Sequence, residues 1–346
     1  MVSDTDLFYR SDGRERGFDL LEQFWRGQQE RIHGFISYDM AAELEDIGPL
    51  PPDDSEFPHI YFTAQPSNEL LSRARKQAVP TSHLARPQFE ASVARIVARI
   101  YAGDIFQTNL CRCLEAPLEP GTEWDLFQRM RAISPARYEN FIRIDDHRTL
   151  FSISPELFLR VRDCVVESAP IKGTRPRGST AVQDAALADE LLASEKDRAE
   201  LAMIVDVVRN DLSRVCDEVR VTEHAKLMTL PTVHHSYSTV QGKLRTGPID
   251  LLRAAFPAAS ISGAPKIEAM RVALREEGRM RGPCMGAIGW IDPNGDMEFS
   301  VAIRTAYTEN GRVRYYAGCG ITADSVPTEE WDESCHKAAA FLRALE

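Results

Sequence analysis

An α+β fold is predicted by three features of this 346-residue chain: short runs with two-residue alternation, a few long segments with helical spacing, and no regular βαβ alternation between them. Residues 1–85 read as a shortened N-terminal portion that contributes strands to the same fold. Residues 86–346 read as the main domain, with no linker inside it. Segments 35–40 and 61–64 predict strands around an acidic, proline-rich loop at 48–58. Phe89, Val93, Ile96, Val97 and Ile100 recur at helical spacing and predict a helix over 86–101. Strands are expected at 104–114, 141–144, 150–153, 157–161 and 165–168, a long helix at 185–208, and a strand at 234–242. A helix is expected after Gly263-Ala264-Pro265 to about 277. Segments 284–291, 298–307 and 312–317 predict an antiparallel meander, and a helix over 329–345 closes the chain.

Composition narrows the function classes. The formal net charge is −11, and no lysine-rich tract tracks a phosphate backbone, which argues against a nucleic-acid partner. An anionic substrate would need local arginines, local lysines or a bound cation, because the overall field opposes its approach. The N-terminal residues are acidic where a secretory signal is basic, and no apolar run nears the ~18 residues of a membrane span. A cytoplasmic, non-membrane protein is expected. Seven cysteines, an odd number without a CxxC pair, predict reduced and mostly buried thiols.

The segment PIKGTRPRG, residues 170–178, is the most informative. Two prolines fix φ and two glycines permit positive φ, so Lys172 is held on both sides at a strand end that runs into a tight loop. Partial desolvation lowers an amine's pKa and makes lysine a nucleophile at neutral pH. A snorkelling or ion-paired lysine fits the same segment. Asp197 and Glu200 share one face of the predicted long helix, and Glu330 and Glu333 share one face of the last helix. Two such faces brought together would call for a cation such as Mg²⁺, whereas either one alone reads as solvated surface.

Ser262-Gly263-Ala264-Pro265 reads as a helix start, with Ser262 as N-cap and free N–H groups aimed at an anion, or simply as a capped structural helix. Arg304, on a predicted strand, suits a bidentate carboxylate clamp or a surface ion pair. Gly318 and Gly320 permit close backbone approach to a ligand, or a tight bend. Glu156 follows a proline and precedes an apolar strand, which suits a general acid with a raised pKa or a strand-end charge. His235, beside His234, is a cleft-facing or a structural histidine.

Eight segments, in this order, resemble the chorismate-utilising enzymes over residues 86–346: GDIFQTNLCR, SPELFLR, PIKGTRPRG, RAELAMIVDVVRNDLSRV, VHHSYSTV, FPAASISGAPKIEAM, AIRT and AGCGITADS. The resemblance implies antiparallel sheets stacked in a core with helices outside. It also implies chorismate as substrate and Mg²⁺ held by Glu200 and Glu333, with Asp197 and Glu330 nearby. Within the family, lysine in PIKGT marks the aminodeoxychorismate synthase component I branch, and Gln107 stands where the isochorismate and salicylate branches carry a basic lysine. The implied roles are Lys172 as nucleophile and Glu156 as acid, with His235 and Gln107 beside them. Arg304, Gly263, Ala264, Lys266, Gly318, Gly320 and Thr174 would bind substrate. Ammonia would come from a separate glutamine amidotransferase subunit. Anthranilate synthase component I, aminodeoxyisochorismate synthase and a non-catalytic family member are the alternatives. Cys284 stands where the family has an aromatic, and the N-terminal portion is too short to complete the family's tryptophan pocket.

Overall fold

A computed structural model describes residues 3–11, 16–66 and 79–346; residues 1–2, 12–15 and 67–78 of the expected N-terminal portion lie outside them. The chain folds into two antiparallel sheets with helices packed outside, as the period-two blocks predict. One sheet has ten strands in the order Asp6–Tyr9, Ile60–Thr63, Ile32–Ile36, Ala287–Ile291, Met297–Val301, Leu157–Arg162, Val165–Ala169, Val233–Leu244 and Ile171–Pro176. Its tenth strand, Cys216–Thr229, pairs with Val233–Leu244. The second sheet runs Gly263–Ala264, Gln107–Pro117, Arg312–Ile321, Thr305–Glu309, Arg148–Ser154 and Tyr138–Arg143, with Thr81–Ser82 beside Gln107–Pro117. N-terminal strands and the 287–301 hairpin thus share one sheet.

The main core lies under the ten-stranded sheet, where Phe35, Ile60, Phe62, Ile288 and Phe299 are fully or almost fully buried. A second core joins the other sheet to the last helix, with Tyr315 stacked on Phe341 at 4.6 Å between ring centroids. Burying such side chains supplies about 1.5–3 kcal/mol each, so the sheets are rigid supports for what projects from their edges.

Three expectations are corrected. The predicted long helix is two helices, Ala181–Ala193 and Glu195–Ser213, because Ser194 takes an extended conformation and its hydroxyl accepts from the Asp197 N–H as an N-cap. Ile32–Ile36 is a strand, but Tyr38–Glu43 is a 3₁₀ helix pinned by Asp39, which accepts from the Arg281 and Gly282 N–H groups. Arg304 is not within a strand. It stands between Met297–Val301 of one sheet and Thr305–Glu309 of the other, in the left-handed region at φ 49°. The predicted strand 298–307 therefore spans a crossover between the two sheets. The helices Gly17–Gly27, Glu123–Ile133 and Pro248–Ala255 were not expected from periodicity.

Candidate active site

Lys172 lies on the strand Ile171–Pro176, which pairs with Val233–Leu244 through a register shift at Gly173. Gly173 sits at φ +76°, and a Cβ there would meet Leu191 at 2.8 Å and Asp197 at 2.9 Å. Only glycine lets this strand bulge while packed against both helices, and the bulge sets the exit of the Lys172 side chain. Across the gap, a Cβ on Gly320 would lie 2.6 Å from Gln107 Nε2 and 3.0 Å from Lys172 Nζ. The bare backbone of Gly320 therefore makes room for both nitrogens. Gln107 is buried, and its Oε1 is without a hydrogen-bond partner.

Burial is the largest influence on Lys172 and lowers its pKa. Lys337 lowers it further, against the attraction of Glu200, Glu156 and Glu333. Glu156 is 4% exposed, and burial raises its carboxyl to about 7, with Ser260 and Lys172 opposing. A buried acid and a desolvated amine thus lie near enough to act on each other by charge.

Glu333 and Lys337 lie near enough to act on Lys172 by charge, with side chains 50% and 47% exposed and Nζ 2.7 Å from Oε1. Lys337 Nζ also donates to the Gly318 carbonyl at 3.0 Å. Burial pushes Glu333 up, but the Lys337 charge and hydrogen bond outweigh it and hold the carboxyl below its ordinary value. Lys337 was missed by sequence reasoning, although its i,i+4 spacing from Glu333 on the helix Pro327–Leu345 was a usable signal.

Glu330 is buried, and its Oε1 accepts from the Ser325 hydroxyl at 2.6 Å, while Oε2 is buried without a partner. Carboxylate oxygens of Glu330 and Glu333 lie within 4.8 Å of each other and of Cys319 Sγ. An unsatisfied buried carboxylate oxygen beside a second carboxylate is a hard-donor arrangement that fits Mg²⁺. Glu200, on the neighbouring helix, is raised by burial and by the charges of Asp197 and Glu333, against Lys172 and Lys196. Asp197 is committed elsewhere: its Oδ2 pairs with Arg175 at 3.2 Å.

On the other side, His235 is 5% exposed and lies opposite Thr174 in the ladder. Arg304 donates toward His235 Nε2 at 3.4 Å and Ser134 Oγ at 3.3 Å. Guanidinium only donates, so Nε2 accepts and Nδ1 carries the proton, giving it to Thr174 Oγ1 at 3.0 Å or the Gly173 carbonyl at 3.4 Å. Burial and the Arg304 charge lower His235 to about 4, so the ring stays neutral. Arg304 itself has no carboxylate partner among the described residues, and burial lowers its pKa. A desolvated guanidinium without a counter-ion suits an incoming anion.

Three expectations at the site are corrected. Lys266 spends its donors on the protein: Asp211 Oδ2 at 2.5 Å and the Ala255 and Pro257 carbonyls at 2.9 Å each. It braces the fold and has no donor left for a substrate. Ser262 is not an N-cap; the helix Lys266–Glu277 starts after Pro265, while Ser262 Oγ donates back to Ala258 and Ala259. Gly263 and Ala264 precede that helix in a two-residue strand paired with Thr108 and Gln107, so they are neighbours of Gln107 and not first-turn donors. Gly318 is glycine for packing, since a Cβ would stand 2.2 Å from the Leu110 carbonyl. Cys284 is buried and donates to the Thr305 carbonyl.

This chain belongs to the chorismate-binding enzyme family, whose model matches residues 65–343. It is 34% identical over 360 residues to aminodeoxychorismate synthase component 1 of Bacillus subtilis, covering 90% of this chain and 76% of that one. It is also 40% identical over 269 residues to anthranilate synthase component 1 of Streptomyces coelicolor, covering 77% of this chain but only 52% of that relative. The chain thus spans about half the length of several anthranilate synthases it matches. Among solved structures, anthranilate synthase component I of Streptococcus pneumoniae superposes with a TM-score of 0.85 at 27% identity, covering 98% of this chain and 90% of that one. The menaquinone-specific isochorismate synthase of Escherichia coli shares the fold, with a TM-score of 0.80 at 19% identity over 98% of this chain and 85% of that one.

Proposed function

We propose that this chain aminates chorismate at C4, giving 4-amino-4-deoxychorismate with ammonia from a glutamine amidotransferase partner, in the cytoplasmic synthesis of para-aminobenzoate for folate. The observation that carries this reading is the placement of Lys172 Nζ over Gly320, beside Gln107, in a recess with the buried acid Glu156. Lys172, as the free amine, attacks ring carbon C2. The double bond shifts and the C4–O bond breaks, while Glu156 gives its proton to the departing hydroxyl, which leaves as water. Ammonia then bonds to C4 and the Lys172–C2 bond breaks, so that the neutral amine is regenerated. The new C4 ammonium returns a proton to the Glu156 carboxylate, which balances the cycle.

Arg304, oriented through His235 and Thr174, is assigned to the side-chain carboxylate of the substrate. Residues 263–264 and Gly320 would form the wall beside it. Glu330, Glu333 and Glu200 would hold Mg²⁺, with Asp197 behind them. When bound, that ion supplies positive charge to the ring carboxylate. Residues 1–85 would complete the ten-stranded sheet as an accessory portion of the catalytic domain at 86–346. The 40% identity to an anthranilate synthase favours a second reading, ammonia addition at C2 followed by pyruvate loss. Mass identification of the product from chorismate, Mg²⁺ and ammonium decides between them: 4-amino-4-deoxychorismate supports the proposal, and anthranilate with pyruvate overturns it.

A further inference from the structure

Behind Glu156, on a side that Lys172 does not line, is a cavity of about 10 Å³ bounded by Glu156, Ser168, Asp211 and Ser260 against Phe158 and Leu212. That volume is on the scale of one water molecule, and a buried water needs two to four polar partners. The lining offers them. Ser260 Oγ is buried without a partner in hydrogen-bond geometry, yet near enough to Glu156 to favour its ionised form, and Ser168 is a second buried hydroxyl in the same lining. Asp211 commits Oδ2 to Lys266. A partnerless buried hydroxyl facing a buried carboxyl across a gap of this size is costly unless something bridges the two.

We propose that one buried water fills this cavity, bridges Ser260 and Ser168 to the Glu156 carboxyl, and so determines which carboxyl oxygen points its proton toward the substrate. The proposal rests on the reading of Glu156 as general acid. Ser260 is then a positioning residue that acts through Glu156. The other groups facing Glu156 are Lys172 on its strand, Lys337 on the last helix and the N–H of Ile171, all of which favour the ionised carboxylate, as Ser260 does. The Asp211–Lys266 pair lies beyond the cavity. Removing the Ser260 hydroxyl therefore tilts Glu156 toward its neutral form.

The test is Ser260→Ala in the full chain, read in two ways. A ¹³C-carboxyl NMR titration of substrate-free protein, assigned with Glu156→Gln, should show the Glu156 inflection moving up by about one pH unit. The alkaline limb of chorismate consumption, measured whatever the product, should move with it, with KM within about twofold and rescue by Ser260→Thr. An inflection that stays in place overturns the proposal. Should Ser260→Ala fail to fold, Ser168→Val must move the inflection the same way, and no shift there also overturns it. A shifted NMR inflection with an unmoved activity limb keeps the water bridge and defeats the general-acid reading instead.

Discussion

Lys337 Nζ stands 2.7 Å from Glu333 Oε1, one turn earlier on the same helix, and its charge bears on Lys172. Two lysines thus share one recess with opposite fates. Lys337, half exposed and paired with Glu333, is held well above its ordinary value against partial desolvation, while Lys172 is depressed first by burial and then by Lys337. The ion pair thus supplies a like charge that weakens its neighbour's hold on a proton.

Lys337→Gln removes that like charge, so the Lys172 pKa rises. The acidic limb of the kcat/KM profile should move up by about one pH unit, with activity at pH 7 falling on the order of tenfold. An unmoved limb would separate Lys337 from Lys172.

Gly320→Ala places a methyl 2.6 Å from Gln107 Nε2 and 3.0 Å from Lys172 Nζ, both ends of flexible side chains. Stability should change by less than about 1 kcal/mol, while the two nitrogens are displaced and kcat/KM drops by about 10²-fold. Paired unfolding curves and kinetics check this. A large loss of stability at full activity would contradict the assigned convergence.

Burial of Glu156 costs stability wherever its carboxyl must ionise. Its folded value of about 7 exceeds its ordinary 4.5, so folded protein keeps a proton that unfolded chain releases, and stability falls as pH rises through that window. Across those units the cost is about 3 kcal/mol. Glu156→Gln should be inactive yet gain stability over wild type, more at pH 8 than at pH 5, in denaturant titrations. An equal effect at both pH values would refute the raised carboxyl.

Glu330→Gln and Glu333→Gln should each weaken Mg²⁺ binding by at least about tenfold, because each removes one carboxylate of the cluster. Calorimetric Mg²⁺ titration measures this directly. Asp197→Asn, at a residue paired with Arg175, should affect Mg²⁺ less than either.

Much of this architecture was legible in the sequence because local periodicity and packing agree. The helix Arg86–Tyr101 has the bounds its apolar spacing predicts, and Lys172 announced itself through the prolines and glycines around it. What was missed depends on tertiary placement. Arg304 looked like a strand residue because a crossover between sheets leaves no mark on alternation. Lys266 looked free because its acceptors, Asp211 and two carbonyls, are brought to it only by folding. Ser260 carried no signal, since an unpartnered hydroxyl is defined by what fails to approach it.

Intact-protein mass spectrometry of the chain mixed with chorismate and Mg²⁺, without ammonia, tests the central claim most directly. A transient adduct of chorismate less one water, located at Lys172 by peptide mapping and lost in Lys172→Ala, is the predicted result. Formation of 4-amino-4-deoxychorismate on later addition of ammonium at near wild-type rate by Lys172→Ala would contradict it.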